Sequence, residues 1–255
     1  MLNSPIELSI FIIVALLIVA FIAGYIDTLV GGGGLITIPA LMLVGVPPIY
    51  ALGTNKLQAV AGSGTAMLTL FLQNKLRFSD VKWLMLVAFV GACVGAVLVQ
   101  FVKPDVLNFI VPAVIVLIAA YFIFVPTTKL SESEAKISKQ TYGCTAVPVV
   151  GFYDGMFGPG TGSFFLWAGV SLRGQSIIDS AMTAKALNFA TNIAALIVFI
   201  YYSKLLWQVG LLMMIGQALG ARLGAKSLMT INPSLLRYLV IAICFVILIA
   251  WVCNN

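Results

Sequence analysis

The run AGYIDTLVGGGGLITIPAL, Ala23 to Leu41, lies in apolar sequence long enough for a membrane, yet it carries an acid, four consecutive glycines and a proline. A glycine inside a helix costs roughly 0.8–1 kcal/mol relative to alanine. Gly31, Gly32, Gly33 and Gly34 together therefore predict a break in the helix, close to Asp27. In lipid, broken backbone survives only where protein or a watery cavity surrounds it.

Working outward, the same arrangement returns in GFYDGMFGPGTGSFFLW, from Gly151. Asp154 stands 127 residues after Asp27, ahead of Gly158, Pro159, Gly160 and Gly162. The same offset pairs Gly24 with Gly151 and Gly31 with Gly158. Later positions repeat at an offset of 129: Thr54 with Thr183, Lys56 with Lys185, Lys75 with Lys204, Gly91 with Gly220, Gly95 with Gly224, Pro104 with Pro233. Two glycine-interrupted segments at corresponding places in two halves are the sequence pointer to a transporter's binding site.

Composition agrees with a membrane protein. The 255 residues are 62% apolar and 9% charged, with a mean hydropathy of +1.12. The net charge of +6 is spread over short loops, which argues for membrane orientation rather than nucleic-acid binding. No Lys or Arg precedes the first apolar run, so it reads as a permanent helix rather than a cleaved signal. The chain has no histidine, and Cys93, Cys144, Cys244 and Cys253 share no metal or redox spacing. No nucleophile elbow, P-loop or paired-acid motif is present. An enzyme is not expected, and neither is a cofactor or a metal.

The expected fold is all-α and integral to the membrane: an inverted repeat of two halves, each a glycine-broken hairpin plus three transmembrane helices. Residues 1–125 form the first repeat, 126–140 a cytoplasmic linker and 141–255 the second repeat. The helices after the first hairpin are expected at Ala51 to Leu72, Trp83 to Phe101 and Val106 to Val125; those after the second at Ser180 to Tyr201, Leu205 to Leu228 and Leu235 to Trp251. The first hairpin, Ile6 to Val46, has 41 residues and the second, Tyr142 to Leu172, has 31, against about 40 for two full crossings. Hydropathy alone would count about eight spans. Three crossings per half invert the second half. With the N-terminus outside, ten basic residues fall inside: Lys75, Arg77, Lys82, Lys129, Lys136, Lys139, Arg173, Arg222, Lys226 and Arg237. Only Lys103 and Lys204 fall outside. The positive-inside rule prefers this arrangement, with both termini outside.

Short helices are expected to begin near Leu35 and near Ser163. Their N-termini, with the glycine N–H groups of Gly31, Gly32, Gly33, Gly34, Gly158, Gly160 and Gly162, suit an anion. The alternative is that these glycines only allow close packing, as is expected of Gly91, Gly95, Gly216, Gly220 and Gly224. Asp27 and Asp154 are either proton carriers or acceptors that fix the glycine turns. Lys56 and Lys185 either serve an anion, pair with an acid, or snorkel to the interface. Thr161 adds a hydroxyl to the second cluster, and Asn188 and Asn192 add amides one turn apart. Trp83, Trp207 and Trp251 read as interface anchors.

The runs GYIDTLVGGGGLITIPAL, ALGTNKLQAVAGS, GFYDGMFGPGTGSF and AKALNFATN resemble the sulfite exporter TauE/SafE family of bacterial membrane proteins, over essentially the whole chain. The resemblance implies a secondary transporter of small sulfur-containing anions in the bacterial inner membrane, with the lipid bilayer as its other partner. A passive anion pore and an accessory subunit without cargo are the alternatives. The second cluster departs from the first: Pro159 lacks an N–H, so the two half-sites are not equivalent.

Overall fold

The computed structural model describes residues 10–124 and 134–227. Its elements are α1 Ile10–Val30, α2 Gly33–Leu43, α3 Pro48–Leu72, α4 Phe78–Val99, α5 Pro104–Phe124, α6 Lys139–Cys144, α7 Ala146–Met156, α8 Thr161–Arg173, α9 Ile177–Tyr201 and α10 Trp207–Ser227. The segments expected at Leu235 to Trp251 and over most of the linker lie outside the described residues, as do Cys244 and Cys253.

Among the described residues, four helices are long and apolar enough to cross a membrane: α1, α4, α9 and residues Pro104–Tyr121 of α5. The helix α3 is as long as α9, at 25 residues, but carries Thr54, Asn55, Lys56 and Gln58, all buried. The outward faces are apolar, as lipid contact requires. Leu86, Val90, Val94 and Leu98 form an exposed stripe at helical spacing on α4, and Leu211, Ile215, Leu219 and Leu223 form one on α10. Inward, both helices present small residues. An alanine methyl at Gly91 would stand 3.0 Å from the Pro148 carbonyl carbon on α7, and one at Gly220 would stand 2.8 Å from the Tyr25 nitrogen on α1. Without a hydrophobic drive between helices in lipid, such close backbone approach is what holds them. Accordingly α1 packs chiefly on α10, and α7 chiefly on α4.

Several boundaries differ from the sequence reading. Pro47 and Pro48 do not merely end the first hairpin; Pro48 starts α3, where a missing N–H costs nothing. The helix α4 begins at Phe78, inside what reads as a polar loop, and α9 begins at Ile177, capped by Ser176, whose hydroxyl accepts the Asp179 N–H at 3.0 Å. The second hairpin opens with two helices rather than one. Pro148 cannot bond to the Cys144 carbonyl and its ring crowds it, so the chain breaks at Thr145.

Candidate functional site

The glycine clusters break the helices as their composition dictates. After α1, Gly31 takes φ +77°, and Gly32 caps α2. After α7, Gly158 and Gly160 take φ +93° and +78°, and Gly160 caps α8. These angles lie in the left-handed region that glycine enters without a Cβ clash. Tyr153 Oη donates to the Pro159 carbonyl at 2.6 Å and steadies the second break.

The two breaks meet. A methyl on Gly162 would stand 2.8 Å from Gly31 Cα, and one on Gly34 would stand 3.2 Å from Pro159 Cα. Ser163 Oγ donates to the Val30 carbonyl across the junction. The N-termini of α2 and α8 are therefore neighbours in the core, as the paired motifs suggest. The N–H groups of Gly34 and Gly162 have no acceptor among the described residues.

Each lysine crosses to the acid of the other half. Lys56, on α3, donates from Nζ to Asp154 Oδ1 at 2.7 Å and to the Asp154 carbonyl at 2.5 Å. Both side chains are almost fully buried, and this is the one ion pair among the described residues. Asp154 Oδ1 also accepts Thr161 Oγ1 at 3.0 Å, and Oδ2 accepts Thr191 Oγ1. Its carboxylate is thus matched by one cation and two hydroxyls. Lys185, on α9, is 3% exposed and donates to the Asp27 carbonyl, not to its carboxylate. Asp27 Oδ1 instead accepts the Gly33 N–H at 2.9 Å, which fixes the turn into α2. The Asp27 carboxylate and Lys185 do not come within ion-pair distance. A methyl on Gly162 would lie 3.6 Å from Lys185 Nζ, so this ammonium faces the start of α8.

Neither lysine snorkels; both are sealed in the core. Thr161 spends its hydroxyl on Asp154 and, at 2.8 Å, on the Gly158 carbonyl. Asn192 donates to its neighbour Asn188, to the carbonyl at 2.7 Å and to Oδ1 at 3.1 Å. Gly33 is held by Asp27 rather than by a strained φ, since a methyl there would stand 2.8 Å from Asp27 Cβ. Two participants escaped the sequence reading. Thr191 lies in the run AKALNFATN, three residues after Asn188, and only its helical spacing could have singled it out. Asn55, next to Lys56, has its Oδ1 held by Thr37 Oγ1 at 2.6 Å and Gln58 Nε2 at 3.2 Å, while its amide nitrogen faces Gly34.

A helical fold with an apolar exterior, two broken hairpins meeting at its centre, and buried lysines crossed between halves defines a multi-pass membrane protein with a polar core. The chain belongs to the sulfite exporter TauE/SafE family, which it matches over residues 16–250. It is 39% identical to a probable membrane transporter protein of Haemophilus influenzae over 239 residues, 94% of each chain. The identity is also 39% with one from a Sinorhizobium species, over 93% of this chain and 91% of that one. A probable membrane transporter protein of Escherichia coli K12 is equally similar, over 94% and 90% respectively. No solved structure matches it. The chain is thus a member of a membrane transporter family.

Proposed function

We propose that the protein is a secondary transporter of a small anion, of the sulfite or organosulfonate kind, in the bacterial inner membrane. The observation that carries this reading is Lys185. Among the described residues, it is a buried cation with no carboxylate in contact, facing a helix N-terminus whose Gly162 N–H is unmatched. Charged side chains at membrane depth are costly and are kept for ions, substrates or partners. Helix N-termini favour negative charge. The glycines Gly31, Gly32, Gly33 and Gly34 of the first break, with Gly158, Gly160 and Gly162 of the second, form the backbone wall of the site; Asn188 and Asn192 line its α9 side. Lys56 and Thr161 serve it through Asp154 rather than by touching the anion.

The halves are an inverted repeat. Supporting this, the turn before α10 corresponds at the offset of 129 to the turn before α4. Yet it lies beside the far end of α4, where the Phe101 and Tyr202 rings are 6.2 Å apart. Corresponding turns therefore sit at opposite ends of α4. Lys75, Arg77, Lys139 and Arg173, all assigned inside by charge, gather around one basin. The linker then faces the cytoplasm and both termini face outward.

The direct test is an anion panel in proteoliposomes. Saturable counterflow of a sulfite-like anion, weakened by Lys185→Gln, is expected. Flux without counterflow would mark a pore, and no flux with any anion would mark an accessory subunit.

A further inference from the structure

The turn between α3 and α4 and the turn between α9 and α10 are copies of one another. Asn74 and Ser203 correspond, and both take φ +54°. Lys75 N–H bonds to the Leu70 carbonyl at 3.0 Å, and Lys204 N–H bonds to the Phe199 carbonyl at 3.0 Å. Internally the two turns are alike. What differs is what they rest on.

The turn before α10 is docked on the start of α3. The Leu206 N–H donates to Thr54 Oγ1 at 3.0 Å. The Lys204 ammonium lies over the Tyr50 ring, 5.3 Å from its centroid. The Lys204 carbonyl lies against Gly53, where no methyl would fit, and Leu205 is buried. Thr54 is wholly buried.

At the other end the corresponding residues are Arg77, Thr183, Lys75, Asp179, Met182 and Leu76. All of them line a basin of about 330 Å³, Lys75, Arg77 and Asp179 on its exposed rim and Thr183 and Met182 at its floor, 9% and 8% exposed against 0% for Thr54. Lys75 and Arg77 are exposed and make no ion pair among the described residues, and neither Arg77 N–H nor Thr183 Oγ1 makes the bond its counterpart makes. Four basic residues and two acids line the basin: Lys75, Arg77, Lys139 and Arg173 against Asp80 and Asp179. Lys139 Nζ is held by the Asp80 carbonyl at 2.6 Å, and Arg173 by the Ile137 carbonyl. Asp179 accepts Ser176 Oγ at 2.8 Å. Lys75 and Arg77 remain to draw an anion in.

We infer that this basin is an anion vestibule leading toward the Lys185 site, two residues beyond Thr183 on α9, and that the α3–α4 turn is its gate. The gate shuts as a rigid piece when the Arg77 N–H reaches Thr183 Oγ1, reproducing at this end the Leu206–Thr54 contact that shuts the other. The structure holds one gate closed and its twin open. The inference deepens the transport reading above by giving the anion a route and naming the two hydroxyls that alternate.

The test uses full-length protein in which the four native cysteines are replaced and a single cysteine is placed at Thr183 or at Thr54. A membrane-impermeant maleimide is expected to label Thr183→Cys at least tenfold faster than Thr54→Cys without substrate, each rate being normalised to that of the denatured variant. If Thr183→Cys does not fold, Asp179→Cys, at the exposed rim, probes the same basin. Equal rates, or faster labelling at Thr54, would overturn the proposal. In flux assays Thr183→Val is expected to slow turnover at least tenfold, and Thr183→Ser to restore it; equal turnover in both would also overturn it. Labelling needs no cargo moved. Wild type that carries no anion would therefore sink the transport reading alone, whereas normal flux with equal labelling would sink the gate alone.

Discussion

Lys56 and Lys185 occupy matching places in the two halves, each two residues after a threonine and each sealed in the core, yet their chemistry differs. Lys56 is joined to a carboxylate at 2.7 Å, and that carboxylate has two hydroxyl donors besides. Lys185 donates to the backbone carbonyl of Asp27, while the Asp27 carboxylate accepts the Gly33 N–H and makes no ion pair among the described residues. The residues recur at an offset of 129, but the second glycine cluster supplies Thr161, and α9 supplies Thr191 where α3 has Gly62. Those two hydroxyls make one pair a closed strut. The other lysine has no carboxylate partner among the described residues. A symmetric sequence thus yields one structural centre and one candidate binding centre.

The largest expected effect tests the strut. Lys56→Met strands the Asp154 carboxylate in the core, and breaking a buried pair from one side costs about 3–5 kcal/mol. The double substitution Lys56→Met with Asp154→Leu should recover most of that loss, because no charge is then left unpaired. Denaturation of the purified protein in detergent measures both. A Lys56→Met protein as stable as wild type would show that the two lysines are equivalent after all.

The next effect falls on function rather than stability. Lys185→Gln removes a charged donor from the anion, and a hydrogen bond to a charged group contributes about 1.5–3 kcal/mol. Apparent affinity for a sulfite-like anion should fall by roughly ten- to hundredfold. Stability should hold, since Asp27 keeps its Gly33 and Gly31 N–H bonds. Unchanged affinity together with lost stability would reverse the roles assigned to the two lysines.

Away from the centre the halves should behave alike. Gly91→Ala drives a methyl into the Pro148 backbone, and Gly220→Ala drives one into the Phe21 backbone. Overpacking costs typically about 1–3 kcal/mol, and the two variants, assayed side by side, should lose similar amounts. A large difference would mean that the asymmetry extends into the scaffold.

How much of this was legible beforehand follows from what repeats and what crosses. The breaks, the short helices that follow them, the packing glycines and the membrane class all rest on local composition, and Gly31, Gly158 and Gly160 stand where the glycine clusters put them. The pairing of Lys56 with Asp154 spans 98 residues. The repeat offset matches each residue to its counterpart in the other half and says nothing of which lysine meets which acid. Lys75 and Arg77 entered the sequence reading as charges that set orientation and, for Lys75, as one member of a repeat pair, because a basin formed by two turns and four helices has no local signature. Pro148 split the opening of the second hairpin for a reason present in the sequence, its lost N–H, but apolar length masked it.

The smallest expected effect concerns Asp27. Its Oδ1 accepts a single N–H, from Gly33, and an asparagine oxygen can accept that bond equally well. What Asp27→Asn loses is a negative charge at the start of α2, a term of about 0.3–1 kcal/mol. A mild loss of stability with pH-driven flux intact is the outcome expected of a residue that fixes a turn. A proton carrier gives the opposite pattern, because the amide cannot release a proton: stability would hold and flux driven by a pH gradient would vanish, while anion exchange continued. Asp154→Asn sharpens the contrast, since there the charge also answers Lys56 and its loss should be felt mainly in stability. Loss of pH-driven flux in Asp27→Asn alone would make the two acids as different in function as the two lysines are in geometry.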